Sequence, residues 1–235
     1  MSTPTFQFKR FTISHDRCAM KVGTDGVLIG AWAALPEQGR VLDIGTGTGL
    51  IALMVAQRSP AVRVLGIDII PEAVEQAREN VAASPFAENV EIHLQSLQDL
   101  SVTNERFDAI VCNPPFFEET LLPPDSERRV ARHVGTLSFE ELVTSAARLL
   151  LDNALFSVIL PTSTFDNFRL LCFSKGLSLQ RSRSVQGTAR KAPKRVLATF
   201  VKGEATWMQE KPLILNDGDG RTDDYSALTA DFYLR

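Results

Sequence analysis

The stretch Arg40-Val41-Leu42-Asp43-Ile44-Gly45-Thr46-Gly47-Thr48-Gly49 restricts this chain more than any other. An apolar run too brief for a helix ends in alternating glycines, and Leu50 through Arg58 then carries a helical pattern. Strand, glycine-rich turn and helix make the first half of a nucleotide-binding βαβ unit, in which glycines let the backbone approach a ligand closely. The dinucleotide fingerprint wants a third glycine where Leu50 stands, and it usually lacks the acid that Asp43 places two residues before the first glycine. A second strand, Val62 to Ile67, ends at Asp68, an acid about 20 residues beyond the loop and placed to accept both hydroxyls of a ribose. Helix N-capping is the other reading of Asp43 and Asp68. Two acids on successive strand ends around the glycines make it the weaker one.

The alternation continues. Pro71 to Ala83 has helical periodicity with proline in its first turn, and Val90 to Leu94 reads as a third strand, followed by Gln95, Ser96, Leu97 and a linker. Phe107 to Cys112 is a fourth strand. Leu137 to Leu151 and Phe165 to Lys175 read as helices, Ala154 to Leu160 as a strand, and Leu177 to Val185 with Arg195 to Lys202 as a closing hairpin. The expected class is α/β: a Rossmann-like, seven-stranded, mostly parallel sheet with helices on both faces and a C-terminal antiparallel hairpin. Within one domain, residues 1–34 form an N-terminal closing segment, 40–202 the core and 203–235 a tail packed on it. Gly23 to Gly26 turns into a first helix with Thr24 or Asp25 as N-cap. In the tail, Asn216 to Asp224 is a Gly/Asp-rich linker before Phe232 and Tyr233, which dock back onto the core.

The chain has 235 residues, 44% hydrophobic and 23% charged, the composition of a soluble globular protein. Its three cysteines, Cys18, Cys112 and Cys172, fit neither a zinc spacing nor a disulfide framework, so no metal is expected. The N-terminus lacks an apolar leader, and Arg148, Asp152 and Asn153 interrupt the most apolar window. These features point to the cytoplasm and away from membranes, with a monomer favoured.

The fourth strand ends in Asn113-Pro114-Pro115-Phe116. In an open α/β sheet, ligands lie beyond the carboxyl ends of the strands. A planar amino group on a heterocycle needs acceptors for its two hydrogens and a surface for its ring. The Asn113 side-chain oxygen and the Pro114 carbonyl supply the acceptors, the prolines stiffen the turn, and Phe116 supplies a stacking face contributing about 1–3 kcal/mol. A plain Pro-Pro turn is the competing interpretation.

Taken together, Asp43-x-Gly-x-Gly-x-Gly, Asp68 and Asn113-Pro-Pro-Phe resemble the class I S-adenosylmethionine-dependent methyltransferases that modify amino nitrogens. Three further stretches are similar to the bacterial tRNA adenine N6-methyltransferases that act on adenine 37 of valine tRNA: Phe8-Lys9-Arg10-Phe11 through Gly26, Ala131-Arg132-His133 with Leu137-Ser138-Phe139, and Tyr225 with Leu228 to Leu234. The resemblance implies that Asp43, Gly45, Thr46, Gly47 and Gly49 surround the methionine and ribose parts of S-adenosyl-L-methionine. It implies that Asp68 and Ile69 bind the ribose side, that Ser96 and Leu97 lie at the adenine end, and that Thr24 and Asp25 close over the methionine moiety. Asn113 borders both cofactor and target amine, and S-adenosyl-L-homocysteine is the product. Where relatives usually carry an acid after the third strand, this chain has Ser96, whose hydroxyl can still accept one hydrogen bond.

The formal charge is −3, so a nucleic-acid interface has to come from the distribution of cations. Arg181, Arg183, Arg190, Lys191, Lys194 and Arg195 form one basic cluster; Lys9, Arg10 and Arg17 form another; Arg128 and Arg132 lie in a polar loop expected to cover the substrate. Of these, Lys9, Arg10, Arg17, Arg128, Arg132, Arg190, Lys191, Lys194 and Arg195 are the candidate tRNA contacts. A solvated hairpin loop explains the first cluster equally well. Other acceptors with a planar amine, a protein glutamine or a ribosomal guanine, suit the same tetrapeptide, and a dinucleotide-binding protein without methyl transfer is the remaining alternative.

Overall fold

The computed structural model describes residues 5–18, 21–114 and 137–234. The chain opens with a small hairpin, β1 (Thr5–Gln7) and β2 (Thr12–Ser14), and then α1 (Thr24–Trp32). The α/β alternation follows: β3 (Gly39–Ile44), α2 (Leu50–Arg58), β4 (Val62–Asp68), α3 (Pro71–Ala82), β5 (Val90–Leu94), α4 (Leu97–Ser101) and β6 (Phe107–Cys112). After β6 and residue 136 come α5 (Phe139–Leu149), β7 (Leu150–Pro161), α6 (Thr162–Ser174), β8 (Leu177–Gln186) and β9 (Arg195–Lys202). The tail adds β10 (Met208–Gln209), β11 (Leu213–Ile214) and α7 (Asp223–Leu228).

Strand order is β10-β8-β9-β7-β6-β3-β4-β5, with β11 also pairing with β8. The strands β5-β4-β3-β6-β7 run parallel, and β9 pairs antiparallel with both β7 and β8. Two-residue strands from the tail extend this sheet, a contribution too short to be read from sequence. From β3 the chain moves outward to β4 and β5, then returns to place β6 on the other side. That reversal opens a crevice at the carboxyl ends of β3 and β6.

Each central strand alternates its side chains between two cores, so its sequence reads as continuously apolar. Val41, Val64, Ala109 and Val111 pack beneath α1, α2 and α3, while Leu42, Leu65, Ile110 and Phe156 pack against the face covered by α4, α5 and α6. Helix α1 is buried along Gly26 to Trp32, as expected for a helix that is apolar all round. It approaches α2 closely at Gly30, where an added Cβ would lie 2.6 Å from Met54 Sδ.

Two local expectations change. The N-cap of α1 is Gly23, in extended conformation and without a side-chain cap; Thr24 and Asp25 are already helical because Asp25 is engaged elsewhere. The segment after Ser96 is a helical turn, α4, because Ser96 itself caps it. At the C-terminal end Phe232 is buried, and Tyr233 stacks on Phe8 and meets Phe6 edge-on.

Candidate active site

The loop after β3 folds toward β4. The amides of Gly45 and Thr46 both donate to the Ile67 carbonyl at 2.9 Å, and Gly49 donates to Thr46 O at 2.9 Å. Gly45 has φ +69°, in the left-handed region, and an added Cβ there would meet nothing within 4 Å. Backbone conformation therefore requires this glycine, and its missing side chain leaves open space at the strand end. The β3–β6 pairing runs to Ile44–Cys112, so Gly45 and Asn113 are the first residues past the paired ends of these two neighbouring strands.

Asp43 is fully buried. Its Oδ2 accepts from Thr46 Oγ1 at 2.6 Å and from the Ala52 amide at 3.1 Å, which satisfies one free N–H at the start of α2. Its Oδ1 has no partner. Burial raises the carboxyl pKa to about 7; the Thr46 hydroxyl and Ala52 amide oppose the rise, and the nearby Asp68 charge adds to it. One oxygen thus performs the capping role, while the other remains an unused buried acceptor, a costly arrangement unless a ligand draws on it.

Asp68 accepts from the Gly47 amide through Oδ2 at 2.9 Å and from the Ile70 amide through Oδ1 at 3.0 Å. Both oxygens are thereby oriented, and each keeps lone-pair capacity for a diol. Beside them, Ile69, Ile70 and Leu94 are exposed apolar side chains at the ends of β4 and β5. Sequence reasoning included Ile69 and missed Ile70 and Leu94; apolar residues immediately past a strand's carboxyl end were the available signal. Ser96 accepts the Asp99 amide at 3.0 Å and donates to Asp99 Oδ2 at 2.7 Å. Leu97 is buried in the core.

Asn113 Oδ1 is a second buried acceptor without a partner, and Pro114 beside it is buried. Thus the two ends flanking the topological reversal, β3 and β6, each leave one side-chain oxygen unpaired. Pro115, Phe116, Arg128 and Arg132 lie outside the described residues. So does the whole polar stretch expected to cover the substrate.

The other expected residues divide into four places. At the first turn of α1, an added Cβ on Gly26 would touch Leu50 Cδ2 at 3.2 Å, which sets Thr24 and Asp25 over the start of α2. Asp25 Oδ2 accepts from Arg195 Nε at 2.8 Å, so Arg195 braces this turn against the start of β9. Arg190, Lys191 and Lys194 form the tip of the β8–β9 hairpin at the same sheet edge, held by Thr162 N donating to Lys194 O and Gln186 Nε2 donating to Lys191 O. Arg181 and Arg183 do not join them: they point into contacts with Glu210, with Asp224 and with the Trp32 carbonyl. Arg17 pairs with Glu79 and Glu75 on the flank of α3. Lys9 and Arg10 sit at the far end of the sheet, where Lys9 Nζ donates to Ala230 O at 2.5 Å and Arg10 lies 4.9 Å over the Phe86 ring.

Residues 22–153 match the family model described as the methyltransferase small domain. A Bacteroides fragilis protein named tRNA1(Val) (adenine(37)-N6)-methyltransferase is 44% identical over 237 residues, covering 100% of both chains. Its namesake from Pseudoalteromonas translucida is 40% identical over 98% of each. This chain belongs to the tRNA1(Val) (adenine(37)-N6)-methyltransferase family. The methyltransferase fold is shared more widely: a predicted O-methyltransferase from Agrobacterium tumefaciens superposes with a TM-score of 0.69 at 19% identity, over 88% of this chain and 96% of that one. P. horikoshii TYW2 in complex with MeSAdo gives 0.57 at 15% identity, over 85% and 71%. Within this methyltransferase, the unpaired Asp43 and Asn113 oxygens occupy the ends of the two strands that flank the crevice.

Proposed function

We propose that this methyltransferase transfers a methyl group from S-adenosyl-L-methionine to the exocyclic N6 amine of adenine 37 in valine tRNA, releasing S-adenosyl-L-homocysteine, in the cytoplasm and as a monomer. The observation that carries the reading is the buried, unpaired Asn113 Oδ1 just past the end of β6, the strand that neighbours β3 and its glycine loop. An acceptor in that position is short of an N–H donor, and an aromatic amine brings two.

The residues at hand fit the methyl donor. Gly45, Thr46, Gly47 and Gly49 give it a backbone approach, and Asp68, oriented by two amides, accepts ribose hydroxyls. Ile69 and Ile70 offer apolar surface for its adenine, with Ser96 and the Leu97 backbone at the edge. A cationic ligand beside the loop also stabilises the ionised form of Asp43, whose second oxygen otherwise has no donor. Thr24 and Asp25, braced by Arg195, cover the methionine side. When bound, the donor supplies a methyl on a sulfonium that transfers by direct displacement.

The protein's own task is alignment. The Asn113 oxygen and the Pro114 carbonyl take the two amine hydrogens, which shifts the nitrogen toward a tetrahedral shape and aims its lone pair. Holding two reactants in line lowers a barrier by several kcal/mol, up to about 7–11 in well-oriented cases. Flipping the base out of a stacked loop costs roughly a few kcal/mol, which stacking on Phe116 offsets in part. Arg190, Lys191 and Lys194 at the hairpin tip receive backbone phosphates on the same edge, with Arg128 and Arg132 from the covering loop.

Labelled methyl transfer to unmodified bulk tRNA, followed by nuclease digestion, tests the proposal. Label in N6-methyladenosine at position 37 supports it. Label in another nucleoside, or in protein glutamine with none in tRNA, would reject the acceptor.

A further inference from the structure

The sequence grouped Lys9 and Arg10 with the other cations, yet the fold carries them away from the crevice. Helix α2 starts at the glycine loop, so its C-terminal residues Gln57 and Arg58 lie at the opposite, amino-terminal edge of the sheet, about 14 Å along a nine-residue helix. There Lys9, Arg10, Gln57, Arg58 and Asp231 line a cavity of about 480 Å³. Three cations face one carboxylate. Internal contacts fix the walls and use part of each cation's capacity: Lys9 Nζ donates to Ala230 O and Lys9 N to Phe232 O, Arg10 lies over the Phe86 ring, Arg58 Nη1 donates to Gly30 O and Gln57 Nε2 to Asp231 O, which leaves the remaining N–H groups of the two guanidiniums and the ammonium for an anion. The buried, unpaired Gln57 side-chain oxygen, an acceptor, works with Asp231 against an anion, while Arg58, whose pKa burial lowers to about 10, stays charged at neutral pH. Concentrating positive charge in a partly enclosed pocket favours an anion, and guanidinium groups match phosphate oxygens in pairs.

We propose that this cavity is a second phosphate-binding site, remote from the methyl-transfer crevice, that holds a backbone phosphate of the tRNA while the target base occupies the crevice. The inference rests on tRNA being the substrate. It assigns the two ends of the sheet separate duties: the Arg190–Lys191–Lys194 tip beside the crevice, and Lys9, Arg10 and Arg58 at the far end, so that one RNA is gripped at two points. Asp231 is the counterweight, its carboxylate reducing the attraction of the pocket.

The test uses the full-length enzyme saturated with S-adenosyl-L-homocysteine and unmodified tRNA, with binding followed by fluorescence anisotropy over a salt series. Arg10→Glu should weaken tRNA binding roughly tenfold, the size of one charge-assisted contact. It should also reduce the slope of log affinity against log salt by about 1. Asp231→Asn should move affinity the other way. Both variants should keep the wild-type melting temperature and S-adenosyl-L-homocysteine affinity. Unchanged tRNA affinity and slope in both variants would overturn the site. An equal weakening by both, or a loss that tracks a lowered melting temperature, would do the same, because it would mark a structural role. If micromolar inorganic tripolyphosphate raises the wild-type melting temperature but not that of Arg10→Glu, while tRNA affinity is the same in both, the pocket serves a small polyphosphate and the RNA assignment falls. Wild-type methyl transfer to tRNA, run alongside, separates the two claims: its absence removes the substrate reading, whereas its presence with unaltered binding removes only the second site.

Discussion

Two polar regions of this molecule treat their charges in opposite ways. In the C-terminal strap, Glu210 accepts from Trp32 Nε1 at 3.0 Å and meets Arg181 and Arg183, while Arg183 also pairs with Asp224. Glu210, Arg181, Arg183 and Asp224 each face an opposite charge, and Arg181 additionally lies 4.0 Å over the Trp32 ring, although its buried Nε has no acceptor. At the carboxyl edge of β3 and β6, Asp43 and Asn113 each leave an oxygen unpaired in a buried position. A strap that closes on itself holds the fold; an edge that leaves acceptors open is prepared for molecules that arrive later. Density of charged residues in sequence does not separate these cases. Whether the partners are internal does.

Substitutions at the two regions should therefore diverge. The largest effect belongs to Asn113→Ala, which should lower methyl transfer by about 10²–10³ in kcat, comparable to loss of a preorganised hydrogen-bonding group. Because the lost oxygen has no internal partner, the melting temperature should hold or rise, and a parallel thermal scan checks this. Asp43→Asn keeps an acceptor for Thr46 and Ala52 but removes the charge. Calorimetry should report S-adenosyl-L-homocysteine affinity reduced by roughly 10–100-fold.

The same residue sets a pH dependence. Its folded pKa, about 7, lies above the unfolded value of 3.8, so between those values the folded state holds the extra proton. This contribution to stability is complete below about pH 4 and lost as pH rises through 7. Ligand-free enzyme should melt at lower temperature at pH 8 than at pH 5.5 for this reason, and Asp43→Asn should flatten that part of the profile. Neutralising Arg190, Lys191 and Lys194 together should weaken tRNA binding roughly tenfold and lower the salt slope by about 2–3, read from anisotropy at several salt concentrations. The smallest effect on activity is expected in the strap. Glu210→Ala should cost about 2 kcal/mol, or roughly 4–8 °C in melting temperature, with transfer per folded molecule unchanged.

The parallel sheet was legible because its strands are buried on both faces and read as unbroken apolar runs between helices of clear periodicity. The glycine loop was legible for a related reason, since few structures need three glycines at alternate positions. Long-range pairing was not. Asp25 and Arg195 are 170 residues apart, and their contact depends on β9 lying beside β7, an order no local pattern encodes. The run from Arg181 to Arg195 looked uniform in sequence, but its first two arginines sit within β8 and are drawn into the strap, while the next three cations leave the sheet at the turn. Where Lys9 and Arg10 lie relative to the other cations was not legible either, because the direction of α2, which sets which end of the sheet they join, is a property of the assembled fold. The empty oxygens of Asp43 and Asn113 are likewise visible only once their surroundings are packed.

The most direct test of the account measures protons. S-adenosyl-L-methionine binding, in the absence of tRNA, is titrated calorimetrically at pH 6.5 in buffers of different ionisation enthalpy, with wild type and Asp43→Asn. If the edge is built to receive a cationic ligand, binding should ionise Asp43 and release most of a proton from the wild type, with little release from the variant. Equal release from both proteins, or none from the wild type with binding intact, would contradict it.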